Sequence, residues 1–159
     1  MTAPRRGRWW SARAAAAVGL ACFTLSPLLP LLTRYWPACA PLERAATLWF
    51  DLHCERDPAR TLSIAAVPLA VCARCTGIYF GVGLAALVRW PTLSPRALRL
   101  WVGIGAALML LDVELEERGL HGSWPALRLL TGVLLAYPLG AGLGAWLARA
   151  PAAEPAQSP

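Results

Sequence analysis

Long apolar runs separated by short polar stretches dominate the chain. Ala14 to Thr33 carries no charge, and Thr61 to Val88 carries only Arg74. Ala97 to Val113 has Arg99 near one end and Asp112 near the other, and Leu129 to Ala148 is again uncharged. A helix needs about 20 mostly apolar residues to cross a hydrocarbon core about 30 Å thick. The pattern therefore predicts an all-α, polytopic membrane protein with four transmembrane helices, at about 14–33, 69–89, 97–113 and 127–148. These form a membrane domain over 14–148, preceded by a basic segment 1–13 and followed by a Pro/Ala-rich tail 149–159 expected to be disordered. Pro27 and Pro30 predict a kink or break at the outer end of the first span.

The start of the second span decides where its polar residues lie. A span beginning at Thr61 would put Cys72 and Arg74 near mid-membrane. An arginine there costs roughly 2.5–3.5 kcal/mol. A short re-entrant or hairpin piece over Leu62–Pro68, then a helix from about Val71 to Trp90, puts both at the outer interface. Pro68 suits such a helix start.

Orientation follows from the arginines. Arg5, Arg6, Arg8 and Arg13, then Arg89, Arg96 and Arg99, then Arg149 fall on one side. Glu43, Asp51, Glu55, Asp57, Asp112, Glu114, Glu116 and Glu117 fall on the other, with Arg34, Arg44, Arg56, Arg60 and Arg118. The positive-inside rule then makes both termini cytoplasmic (N-in/C-in) and the loops 34–62 and 114–126 extracytoplasmic. Ala38-Cys39-Ala40 has the form of a signal-peptide cleavage site, but the apolar run before it is longer than a usual signal core. The first span is therefore read as a membrane anchor. With 30 alanines, 29 leucines and no lysine, the composition is that of GC-rich coding. The expected location is a bacterial inner (cytoplasmic) membrane.

Composition agrees. Hydrophobic residues make up 57% and charged residues 15%, against about 45–50% and 25% in soluble domains. The formal net charge of +6 comes from arginines scattered between apolar runs. That fits membrane orientation and not nucleic acid. The expected partners are the lipid bilayer and a second copy or another membrane subunit. Gly77, Gly81 and Ala85 recur every four residues in span two, as do Ala136, Gly140, Gly144 and Ala148 in span four. Such stripes let helices approach closely in lipid. The alternative is that Gly and Ala are simply common here. Trp9, Trp10, Trp36, Trp49, Trp90, Trp101, Trp124 and Trp146 fall near span ends or in loops, as interfacial aromatic belts do.

Chemistry concentrates in His53-Cys54-Glu55-Arg56-Asp57-Pro58 and Val71-Cys72-Ala73-Arg74-Cys75-Thr76-Gly77. Three readings stand side by side. Cys72 and Cys75 form a C-x-x-C pair, half of a zinc or copper site, with Cys54 as third ligand. His53 is an awkward fourth ligand because adjacent side chains diverge, and Asp112, His121 or water fills the position instead. The pair can also be a redox dithiol, activated at a helix N-terminus beside Arg74. Or the cysteines are inert or form structural disulfides, Cys39 with Cys54 for example, with Cys22 a small apolar residue of span one. Asp112 is expected to pair with Arg74 or Arg128, and Glu114, Glu116 and Glu117 to form a solvated loop face. Two histidines and no lysine leave few general bases, and no nucleophile motif is present. The chain leans away from enzymes. Transport by four spans would require oligomerisation.

The string Cys72-Ala73-Arg74-Cys75-Thr76-Gly77-Ile78-Tyr79-Phe80-Gly81 resembles the DUF2085 family of bacterial and archaeal membrane proteins, over roughly residues 45–145. The family's Arg-Thr pair corresponds to Arg60-Thr61, its helix-end Asp to Asp112, and its Arg-x-x-Thr-Gly to Arg128–Gly132. Two positions depart from it. The family reads Cys-His where this chain reads His53-Cys54, and Gly where Val113 stands. The resemblance implies a multi-pass membrane protein with a shared Cys/His site, Cys54 transferring more safely than His53. It implies no reaction.

Overall fold

The computed structural model describes residues 6–88 and 91–148, with side chains from residue 14 onward. The tail 149–159, the side chains of the basic segment including Trp9 and Trp10, and Trp90 lie outside the described residues. The chain is mostly helical. Helix α1 (Arg6–Leu25) runs into a 3-10 turn, Ser26–Leu28, and restarts as α2 (Leu29–Tyr35). The break falls where Pro27 and Pro30 withdraw two amide donors. Pro30 then sits in the first turn of α2, where no intrahelical donor is needed. A second 3-10 turn leads into α3 (Ala40–Phe50).

The all-α expectation needs correction at the next element. Strands β1 (Thr61–Ile64) and β2 (Val67–Cys72) form an antiparallel hairpin, pairing Ser63 with Pro68 and Ile64 with Val67. Pro68 therefore lies in a strand and does not start a helix. In a two-stranded ribbon both strands are edges, where proline is tolerated. Val67, Leu69, Ala70 and Val71 are buried, so β2 is an apolar run covered by its neighbours. The two-residue turn is Ala65-Ala66, with φ of 50° and 61°. Both residues are left-handed, as a type I′ turn demands, yet neither is the Asn or Gly that adopts this backbone cheaply. The double substitution Ala65→Asn with Ala66→Gly is expected to stabilise the chain by about 1–2 kcal/mol. An unchanged thermal midpoint in detergent would show that the alanines carry no strain.

Helices α4 (Ala73–Val88), α5 (Pro95–Glu117) and α6 (Pro125–Ala148) complete the fold. Among the described residues, Ala14–Tyr35 and Pro125–Ala148 are long and apolar enough to cross a membrane. α4 is apolar but has 16 residues, about 24 Å of helix at 1.5 Å per residue.

α6 lies between α4 and α5. Its small residues meet those of α4 backbone to backbone: a Cβ on Gly77 would run into the Leu129 carbonyl, one on Gly132 into that of Arg74, one on Gly140 into that of Val82, and one on Gly144 into that of Ala86. Gly81 sits over Val133. α5 approaches through Gly105, where an added Cβ would lie 2.9 Å from Leu135 Cα. Pro138 inside α6 cannot bond the Leu134 carbonyl four residues back. Trp101 Nε1 on α5 donates to that oxygen instead, at 3.1 Å. The Trp101 ring also stacks on Tyr137, centroids 6.1 Å apart. This indole satisfies a helix defect, a more specific task than sitting in an aromatic belt.

Candidate metal centre

Three elements converge on the cysteines. Cys54 follows α3, its amide closing a last turn on the Phe50 carbonyl at 2.9 Å. Cys72 ends β2, and Cys75 lies in the first turn of α4. The three Sγ atoms lie within 4.8 Å of one another. Cys54 is buried, in a core with Phe50, Ala70, Val71 and Tyr79 against which Cys72 and Cys75 pack. The Cys72 amide donates to Cys54 Sγ at 3.3 Å. The arrangement is a pocket of sulfur, one wall of it given by each of three elements.

All five cysteines are free. Cys39 is at the end of its 3-10 turn and is not joined to Cys54, and Cys22 is exposed on α1.

The histidines lie elsewhere. His53 Nε2 is 3.1 Å from Tyr79 Oη, which accepts from Trp49 Nε1 at 3.2 Å. His121 Nδ1 is 2.8 Å from the Gly122 carbonyl oxygen, and its Nε2 is 3.6 Å from Asp112 Oδ1. Among the described residues the only group of three or more ligating side chains is the cysteine trio.

A charged cluster adjoins it. Arg74, between the two cysteines of the pair, donates from Nε (2.9 Å) and Nη2 (2.6 Å) to Asp112 Oδ2, and from Nη2 to Glu116 Oε2 at 2.9 Å. Arg128, almost fully buried, pairs with Glu116 Oε1, and Arg60 Nε lies 3.7 Å from the same oxygen. The linear pattern puts Glu116 on a solvated loop face. It is instead a helical residue whose side chain is 10% exposed, with three arginines around it. α5 continues through Glu117, so Glu116 falls one turn beyond Asp112 on the same face. The i, i+4 spacing of the two acids is the signal that could have found it.

A profile described as predicted membrane protein (DUF2085) matches residues 54–141, more than half of the chain. The chain belongs to the DUF2085 family. No curated protein and no solved structure matches it. The DUF2085 segment opens on Cys54 and includes Cys72, Arg74, Cys75, Asp112, Glu116 and Arg128. It thus spans the sulfur pocket and the core of the charged cluster, while α1, α2, α3 and His53 precede it.

Proposed function

We propose that this DUF2085 protein holds a soft transition-metal ion, zinc or copper, on Cys54, Cys72 and Cys75. The proximity of the three sulfurs carries the reading. A tetrahedral zinc with bonds of about 2.3 Å sets its sulfurs about 3.8 Å apart, so small side-chain rotations bring the trio onto one ion. An all-sulfur set suits zinc or copper(I) and not magnesium or calcium. Three ligands leave a fourth position for water or an incoming ligand, as in open sites. The Cys72 amide bonded to Cys54 Sγ is the kind of outer contact that orients a thiolate ligand. Such an ion would tie α3, the hairpin and α4 together.

The surroundings in this proposal are a bacterial inner membrane crossed by four helices, with both termini cytoplasmic and the metal centre at the extracytoplasmic face. The 16 residues of α4 give about 24 Å of helix, short for a full span, a mismatch that a bilayer meets by thinning around the helix.

The test is elemental analysis and thiol titration of the full chain, purified in mild detergent without chelators. About one zinc or copper per chain is expected, falling below about a tenth in Cys72→Ser. Metal-free protein with every thiol titratable would overturn the reading. One observation favours a second: Cys72 directly precedes α4, where helix amides favour a thiolate, as in dithiol redox sites. That reading expects no metal, rapid alkylation at Cys72 and reversible oxidation.

A further inference from the structure

Three sulfurs converge, and no other donor joins them. His53 Nε2 faces the Tyr79 hydroxyl, and His121 Nε2 faces Asp112 Oδ1. Asp112 Oδ2 and both carboxylate oxygens of Glu116 are held by Arg74 and Arg128. Among the described residues, no histidine or carboxylate completes the trio. Zinc is almost always four-coordinate and would have to finish its shell from solvent. Trivalent arsenic, equally soft, does not. It takes three sulfurs as a pyramid, and its lone pair fills the fourth direction.

Charge separates the ions further. A coordinating thiol loses its proton. Three thiolates therefore leave one negative charge on zinc(II) and two on copper(I), but none on arsenic(III). Cys54 is buried with Phe50, Val71 and Tyr79, where an unpaired charge is costly. The neighbouring arginines are already paired: Arg74 with Asp112 and Glu116, Arg128 with Glu116, Arg60 with Asp57. Only the amides at the start of α4 favour a thiolate, and they act on Cys72. A neutral complex suits this pocket best. Cys72 and Cys75 are half-buried, so a small uncharged solute can reach the sulfurs.

We infer that Cys54, Cys72 and Cys75 bind trivalent arsenic, presented as its neutral hydroxide. Three S–As bonds form and three As–O bonds break. The three thiol protons leave with the three hydroxides as water, and no electron moves. The sulfurs, within 4.8 Å of one another, are drawn together on one side of the arsenic. The step needs the thiols free of zinc and copper, so it stands apart from the metal reading while sharing its three sulfurs.

The experiment uses the full chain in detergent with Cys22→Ser and Cys39→Ser, reduced by a phosphine, stripped of metal and titrated with sodium arsenite. About one arsenic per chain is expected, with all three remaining thiols lost to titration and a mass gain of one arsenic less three hydrogens. Methylarsonous acid, which forms only two S–As bonds, should bind at least about tenfold more weakly and leave one thiol titratable. Cys54→Ser should lose at least about tenfold in arsenite affinity and abolish the preference between the two arsenicals. Should Cys54→Ser fail to fold, the thiol count and the methylarsonous comparison on the parent chain decide. A thiol left titratable at saturating arsenite, equal affinity for the two arsenicals, or displacement of arsenic by an equal concentration of zinc overturns the inference. Metal content of the unstripped chain is read separately. Zinc or copper there with no arsenite uptake sinks this inference alone, and full arsenite uptake by a chain that never carries metal sinks the metal reading alone.

Discussion

Arg74→Met is expected to destabilise the metal-free chain by about 3–5 kcal/mol, the cost of breaking a buried pair from one side. Arg74 supplies both hydrogen bonds that Asp112 Oδ2 receives, and Asp112 Oδ1 has no hydrogen-bond partner at all. The side chain of Asp112 is 4% exposed. Once Arg74 is gone, the nearest positive charge available to it is a protonated His121, 3.6 Å away. Methionine does relieve the roughly 2.5–3.5 kcal/mol an arginine costs near lipid, but an unpaired aspartate carries a similar cost there, so the lost pairing remains. The reverse change, Asp112→Leu, should cost less, because Arg74 keeps Glu116. The double variant should recover much of the loss from Arg74→Met, since no unpaired carboxylate remains at 112. Thermal unfolding of all four proteins in detergent gives the coupling. Equal loss in Arg74→Met and in the double variant would show that Asp112 is not held by Arg74.

The same cluster shows how far side-chain chemistry can be read from a linear pattern. The Arg74 and Asp112 positions stand out because each is a charge at the end of an apolar run. Glu116 does not, because three acids within four residues look like a solvated loop. Only the continuation of α5 to Glu117 turns Glu116 back toward Arg128. The hairpin is legible in part, as the short re-entrant or hairpin piece expected over 62–68, but the reach of its second strand to Cys72 is hidden for a related reason. A short apolar run such as Val67–Val71 serves strand and helix equally. The turn joining β1 to β2 is Ala-Ala, which lacks the Asn-Gly signature of its type.

Among the ligand candidates, spacing is informative for sulfur and misleading for nitrogen. Cys72 and Cys75 flank the start of one helix, so three residues of separation bring them together. Cys54 joins them because α3 and the hairpin share a core around Phe50 and Val71. His53 is one residue from Cys54 and yet turns to Tyr79, as adjacent side chains on an irregular turn do. His121 has the reach the topology allows, and Asp112 stands where it arrives. Tyr79 and Trp49 give no sign of their pairing, since Tyr79 lies inside an apolar helix and Trp49 near the end of an amphipathic one, both ordinary places for an aromatic ring.

Gly140→Leu should be more damaging to the helix bundle than any loop change. A Cβ at Gly140 would overlap the Val82 carbonyl, and backbone cannot rotate aside as a side chain can. Gly140→Ala alone is expected to cost about 1–3 kcal/mol by overpacking. Leucine forces α4 and α6 apart and should abolish the cooperative transition. Gly142→Ala is the internal control, on the same helix two residues away with nothing within 4 Å of an added Cβ. It should be neutral or stabilising by up to about 1 kcal/mol, from helix propensity. Equal midpoints for Gly140→Ala and Gly142→Ala would rule out the close approach. The seam also reaches the sulfur pocket. Gly132 lies against the carbonyl of Arg74, the residue between Ala73 and Cys75, and Gly77 against that of Leu129. Gly132→Ala must therefore displace the first turn of α4, and with it Cys75. Metal binding should weaken in Gly132→Ala by at least about tenfold, while Gly144→Ala, at the other end of the seam, lowers stability and leaves the affinity alone.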